Sequence, residues 1–432
     1  CETMKSNRNN PLLTNGSVST AFIPGALLFV FFLLRFFIYA RNRQFFFSPA
    51  VAVYYTLTYE YGPIPRAFIG WLISLFTGYL TRDTLMLIIT VTVLFTLGLA
   101  SLMLGKIASR LPAEEKPSMY LFLLLLATAP LSHTYLVERH FGRLDIFLLL
   151  WTLLGLLCLR SPRLRWLVPF LGVMAVATHP GYVVTYLPAL AIPLLYEVHR
   201  SKYSRSSIAL FTVSGAVILG AFIYFQFLSP AVPFKDAEAF GRELAARTDM
   251  KISNPVLYLE YISPHLDNPS KPDIFWGLEI PMAKNIALPS LFVLFAFSIP
   301  LIAVFAAVWR SSFRLGNDRL SRIIYILCAA APLAFIPAAL FAQDWERWWV
   351  AALNCQFILL FYLLSNKDSP VRSSIRKVYD YFGRHTLVLL CILVFSGTLM
   401  LSNITSFTLD VLDKSIWQDF FAKVLPNYDF SL

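Results

Sequence analysis

The sequence predicts an all-α, polytopic integral membrane protein with about eleven transmembrane helices and one re-entrant or interfacial helix. Three observations carry this. The 432 residues are 57% hydrophobic and only 14% charged, with a mean hydropathy of +0.64, more apolar surface than a water-soluble domain of this size can bury. Apolar runs near the 20-residue length of a bilayer span recur along the chain. Lysines and arginines fall in the short segments between those runs rather than along one basic stripe, so the net charge of +11 reads as a topology signal and not as a nucleic-acid footprint.

The runs lie near 20–40, 84–105, 119–137, 144–160, 165–179, 180–197, 207–229, 286–309, 322–342, 347–365 and 386–402. The fifth and sixth form one apolar stretch interrupted by His179-Pro180-Gly181, which predicts a short loop or a broken helix. Residues 64–80 open on Ile64-Pro65-Arg66 and are too short to cross, so they are expected to re-enter or lie in the interface. Residues 1–19 then form a cytoplasmic N-terminus, 20–229 and 286–402 two transmembrane bundles, 230–285 an outer cap and 403–432 an outer tail. In the cap, the stretch from Phe234 to Arg247 has helical composition, and Asn254-Pro255 and Asp267-Asn268-Pro269 mark turns.

Orientation follows from Lys106, Arg110 and Lys116; Arg160, Arg163 and Arg165; Arg200, Lys202 and Arg205; Arg310, Arg314, Arg319 and Arg322; and Lys367, Arg372, Arg376, Lys377 and Arg384. These five loops share one side if 64–80 does not cross, and the positive-inside rule makes that side the cytoplasm, with the C-terminus outside. No cleavable signal peptide is evident, and Cys1 reads either as a lipidated cysteine left by signal cleavage or, as Met4-Lys5 resembles a natural start, as a remnant ahead of it. The five cysteines form no disulfide framework and no zinc spacing, and neither a P-loop nor a GxGxxG motif is present; no metal or cofactor is expected.

Ionisable side chains at membrane depth are costly, so their positions point to function. Four clusters stand out on the outer side. Glu60 and Arg66 flank the entrance of the re-entrant segment, where Arg66 either snorkels to headgroups or binds a lipid phosphate. Glu138, Arg139, His140, Arg143 and Asp145 crowd one hairpin tip. A first-turn carboxylate is favoured by the helix dipole, so capping alone could explain Asp145, while Arg143 suits bidentate phosphate binding. His179 is either a satisfied helix-end residue or a general base working near neutral pH. Asp344 suits an N-cap, the neighbouring tryptophans suit an interfacial belt, and Arg347 lies on the same helix face as Asp344. Several arginines with two or three carboxylates and a histidine describe a site for a polyanionic lipid head, with substrate-binding Glu60, Arg66, Arg139, His140, Arg143 and Arg347 and with Asp145, His179 and Asp344 as candidate bases.

In the stretch from Tyr61 to Gly70, in Gly142-Arg143-Leu144-Asp145, in His179-Pro180 and in Asp344-Trp345-Glu346-Arg347-Trp348, the chain resembles Wzy-type polymerases of bacterial surface-polysaccharide loci and related lipid-dependent glycosyltransferases of the broad GT-C kind. The resemblance implies an inner-membrane enzyme that joins polyprenyl-pyrophosphate-linked oligosaccharides at the outer face, among membrane lipids and polysaccharide export proteins. A typical GT-C first-loop acidic pair is missing, since Glu60 is the only acidic residue of the first outer loop ahead of the re-entrant segment, which argues against a metal-dependent or first-loop-aspartate mechanism. Two other classes fit the same residues: a transporter of the lipid-linked glycan, and an outer-face acyl or phosphoryl transferase. Charge-poor span interiors and the lack of paired broken helices weigh against the transporter.

Overall fold

Helices form over every one of the eleven apolar runs. The computed structural model describes residues 23–42, 49–129, 141–229, 237–252, 287–336 and 345–401, and among them every regular element is helical apart from a single isolated bridge between Leu80 and Thr248. In chain order the helices are α1 (Ile23–Asn42), α2 (Pro49–Thr56), α3 (Phe68–Ser74), α4 (Arg82–Arg110), α5 (Lys116–Thr128), α6 (Asp145–Leu159), α7 (Val168–Thr178) and α8 (Tyr182–Thr185). They continue with α9 (Pro188–Arg200), α10 (Arg205–Ile223), α11 (Ala237–Ala245), α12 (Ala287–Leu315), α13 (Arg319–Ala330), α14 (Trp345–Ser365), α15 (Ser369–Arg384) and α16 (Thr386–Leu401).

Length and apolarity qualify four described helical segments as membrane spans, Arg82–Arg110, Arg205–Leu228, Ser298–Leu315 and Arg347–Ser365, against about eleven expected. The reason lies in helix length. At 1.5 Å per residue a helix needs about 20 residues to cross a hydrocarbon core, whereas α5 and α6 contain 13 and 15 residues. The chain from 165 to 200 is cut by its prolines and His179 into a 3-10 turn, α7, α8 and α9. The broken-helix expectation at His179-Pro180-Gly181 holds: α7 ends at Thr178, His179 is extended, and Gly181 donates its N–H to His179 Nδ1 at 2.9 Å.

α14 is the hub. Of its apolar window 89% is buried, against 17% for the span that begins at Arg205, so α14 sits among helices and α10 faces outward. Its polar side chains answer to neighbours, as buried groups must. Asn354 donates to the Tyr186 hydroxyl at 2.9 Å, Gln356 donates to the Cys328 carbonyl at 2.7 Å, and Trp309 donates to Gln356 at 2.5 Å.

The five basic loops gather at one end of the bundle. There the Arg372 guanidinium holds Glu115, His199 meets Asp318 at 2.9 Å, Arg165 donates to Ser206 at 2.8 Å and Tyr362 donates to Glu197 at 2.7 Å. The expected loop at 366–385 is corrected by α15, a 16-residue helix capped by Asp368, with Val371, Ile375 and Phe382 buried against the bundle and charges on the other face.

At the opposite end, α2, α3 and the 3-10 turn Tyr59–Tyr61 form a short layer on which the cap docks. Residues 64–80 hold only the seven-residue α3, in keeping with a segment that does not cross. α3 lies close under the chain before it: a Cβ on Gly70 would stand 2.1 Å from the Leu57 carbonyl oxygen. α11 forms within the stretch expected to be helical, and Phe240 and Leu244 pack with Val53, Leu57, Tyr61 and Ile64 into a second small core. Thr248 donates to the Leu80 carbonyl at 2.6 Å and closes this layer.

Candidate functional site

Asp145 opens α6 and Arg347 lies in the first turns of α14, so both helices present these residues at the end away from the basic loops. The two are 202 positions apart, and Arg347 donates Nη1–H to Asp145 Oδ2 at 2.9 Å. The pair is buried, with side-chain exposures of 5% and 10%. Two charges removed from water are stable only when they meet with good geometry. Asp145 therefore does more than cap its helix, and Leu144, at the N-cap position, supplies no side-chain bond. The other carboxylate oxygen, Oδ1, makes no hydrogen bond among the described residues.

Tyr55 closes one side of the pair. Its hydroxyl donates to the Gly142 carbonyl at 2.7 Å, and burial, followed by the nearby Asp145 carboxylate, pushes its ionisation far above the ordinary tyrosine range. It acts as a fixed neutral donor. Gly142 has φ 85°, a left-handed turn that glycine adopts without strain, and half-buried Arg143 follows it, two residues before Asp145.

Arg66 enters from the re-entrant segment. Its φ of 67° is in the left-handed region where a side chain costs on the order of 1 kcal/mol or more. Its guanidinium lies 5.8 Å from the Tyr54 ring centroid, a cation–π contact, and makes no hydrogen bond or ion pair among the described residues. Tyr54 precedes Tyr55 on α2 and Tyr55 bonds the Gly142 carbonyl, so Arg66 and the turn carrying Arg143 and Asp145 lie at the same end of the bundle as Arg347.

Two expected site residues lie elsewhere. Glu60 accepts from Arg247 at 2.7 Å, is 62% exposed, and joins the 3-10 turn Tyr59–Tyr61 to the turn after α11. Arg247 also reaches Glu243 and lies over the Tyr61 ring at 5.0 Å. His179 follows Thr178, which accepts from Trp151 Nε1 at 3.1 Å; Trp151 is six residues along α6 from Asp145, about 9 Å deeper by helical rise. The His179 Nδ1 accepts the Gly181 N–H, so that lone pair is engaged within the turn. Arg139, His140 and Asp344 lie outside the described residues.

No protein-family model, curated protein or solved structure matches this chain. Its chemistry therefore rests on its own geometry. Tyr54, Tyr55 and Arg247 are the participants that sequence reading passed over. The tyrosines sit in an apolar octet, Pro49–Thr56, that resembles ordinary packing, while Arg247 lies in the turn just after a charge-mixed helix whose docking side has no sequence mark. A buried Arg–Asp pair, an arginine on a tyrosine face with no hydrogen bond among the described residues, and a third arginine after a glycine turn offer the donors that a di-anionic head takes, beside a carboxylate.

Proposed function

We propose that this chain is a membrane glycosyltransferase of the polymerase type, which joins polyprenyl-pyrophosphate-linked glycan units at the outer membrane face. The observation that carries this reading is the buried Asp145–Arg347 pair, gathered with Arg143 and Arg66 at one end of an apolar bundle. Pyrophosphate on a lipid carrier has the charge for three arginines, and the bundle supplies the apolar surroundings for the carrier chain. An acceptor hydroxyl attacks the anomeric carbon of the donor glycan. The bond from that carbon to the pyrophosphate oxygen breaks, and the electron pair leaves with the pyrophosphate, which the arginine forks stabilise. Asp145 Oδ1 takes the hydroxyl proton. On this reading about eleven helical passes, the shorter ones matched by local thinning of the bilayer, put this chemistry outside and the basic loops in the cytoplasm.

The test uses purified protein in detergent with only the polyprenyl-pyrophosphate-linked oligosaccharide. Longer lipid-linked chains are expected without nucleotide sugar and without a membrane gradient. Folded, donor-binding protein that extends nothing in detergent, while vesicles show the glycan crossing the bilayer, would replace this reading with a transporter.

Orientation has its own measurement. Single cysteines at positions 202, 314 and 376 are expected to be shielded from an impermeant thiol reagent in intact cells, and cysteines at 83 and 249 to react. Reaction of 314 together with 83 would end the proposed topology.

A further inference from the structure

At the basic end of the bundle, α4, α6 and α14 leave an open groove containing about 840 Å³ of empty space. Its walls are apolar, with Leu97, Met103, Leu104, Leu149, Leu153 and Phe357 among them. The two polar groups on its α14 wall are engaged elsewhere, Asn354 with Tyr186 and Tyr362 with Glu197. From Leu97 to Ile107 the groove follows ten residues of α4, which at the helical rise is about 15 Å, half of a hydrocarbon core of about 30 Å. It spans one leaflet.

Where the groove reaches the loops, Lys106 and Arg110 of α4, Arg160 at the end of α6 and Lys367 after α14 line an adjoining pocket. None of the four makes an ion pair among the described residues. Four of the carboxylates at this end are engaged elsewhere: Glu115 has Arg372, Glu197 has Arg200 and Tyr362, Asp318 has His199, and Asp368 has Tyr325; Glu114 and Asp380 are exposed and line neither the groove nor the pocket. Four cations thus line one small volume with no carboxylate among its described lining residues, Glu197 being the carboxylate felt by Arg160, next to a channel one acyl chain long.

We propose that this groove holds one anionic glycerophospholipid of the leaflet beside the basic loops, with its phosphate among Lys106, Arg110, Arg160 and Lys367 and an acyl chain along α4. A soluble anion would leave the apolar channel unfilled. A peptide would find almost no hydrogen-bonding groups there for its backbone. The cationic pocket is at the opposite end of α6 and α14 from Asp145 and Arg347, while the apolar wall of the groove runs along α6 as far as Leu149, one turn from Asp145.

The experiment counts lipids on delipidated full-length protein by native mass spectrometry, with phosphatidylglycerol, phosphatidylethanolamine, polyprenyl phosphate and inorganic phosphate as separate probes. Phosphatidylglycerol is expected to remain bound and to outcompete phosphatidylethanolamine. The double variant Lys106→Ala/Lys367→Ala alters exposed side chains only and is expected to weaken phosphatidylglycerol binding by roughly tenfold or more, since each cation near an anionic head contributes about a fivefold factor. Ala100→Trp fills the channel while keeping all four charges, and is expected to expel the lipid as well. Both variants keep binding of the polyprenyl-linked donor at the other end, which separates failure here from failure of the transferase reading. Equal retention of the two glycerophospholipids, unchanged binding by the double variant, polyprenyl phosphate bound in place of phosphatidylglycerol, or inorganic phosphate competing on equal terms would each overturn the proposal.

Discussion

Replacing Arg347 with Ala is expected to destabilise the protein by about 3–5 kcal/mol, because it strands the Asp145 carboxylate in a buried site. The same principle predicts an asymmetry. The double replacement Asp145→Leu/Arg347→Met removes both charges and keeps apolar volume, so it is expected to recover most of the lost stability while remaining inactive. Thermal unfolding in detergent, followed by aggregation or by intrinsic fluorescence, compares the three proteins directly. A double variant no more stable than Arg347→Ala would show that the pair is not an isolated buried couple, and that its partners reach further into the bundle.

The second large effect concerns rate. Asp145→Glu keeps the charge and the means to pair with Arg347, but moves the free carboxylate oxygen by a methylene, and Asp145→Asn removes the base altogether. Chain extension is expected to fall about a hundredfold or more in the Asn variant, the usual range for loss of a general base, and strongly in the Glu variant through misplacement. His179→Gln is expected to lose far less, because the Gly181 N–H already occupies the Nδ1 lone pair. Single-turnover extension with bound donor, normalised to folded protein, gives the ranking. A variant at 179 slower than the Asn variant at 145 would move the base to the histidine.

The helical runs were legible in composition because a bilayer imposes one repeated demand: about 20 apolar residues with every backbone hydrogen bond made internally. That demand left its mark at each of the eleven runs, and the Pro-Gly after His179 marked the helix break. The α15 helix was legible too, in the spacing of Val371, Ile375, Val378 and Phe382, but its many charges read as a loop. Counting residues overstated the spans that pass by length, since the short helices of 13 and 15 residues are set by where turns cut the apolar stretches.

The candidate site was legible in part. Charges at helix mouths singled out Asp145, Arg143 and Arg347, because an ion at membrane depth is rare enough to need a reason. That Asp145 pairs with Arg347, that Glu60 turns to Arg247, and that Lys106, Arg110, Arg160 and Lys367 share one pocket were decided by packing alone. Periodicity records which face of a helix is apolar, but it carries no information about which helix lies against that face. Lateral contacts between apolar helices have little preference in a lipid-like medium, so pairing across 202 positions becomes visible only when α6 and α14 stand side by side.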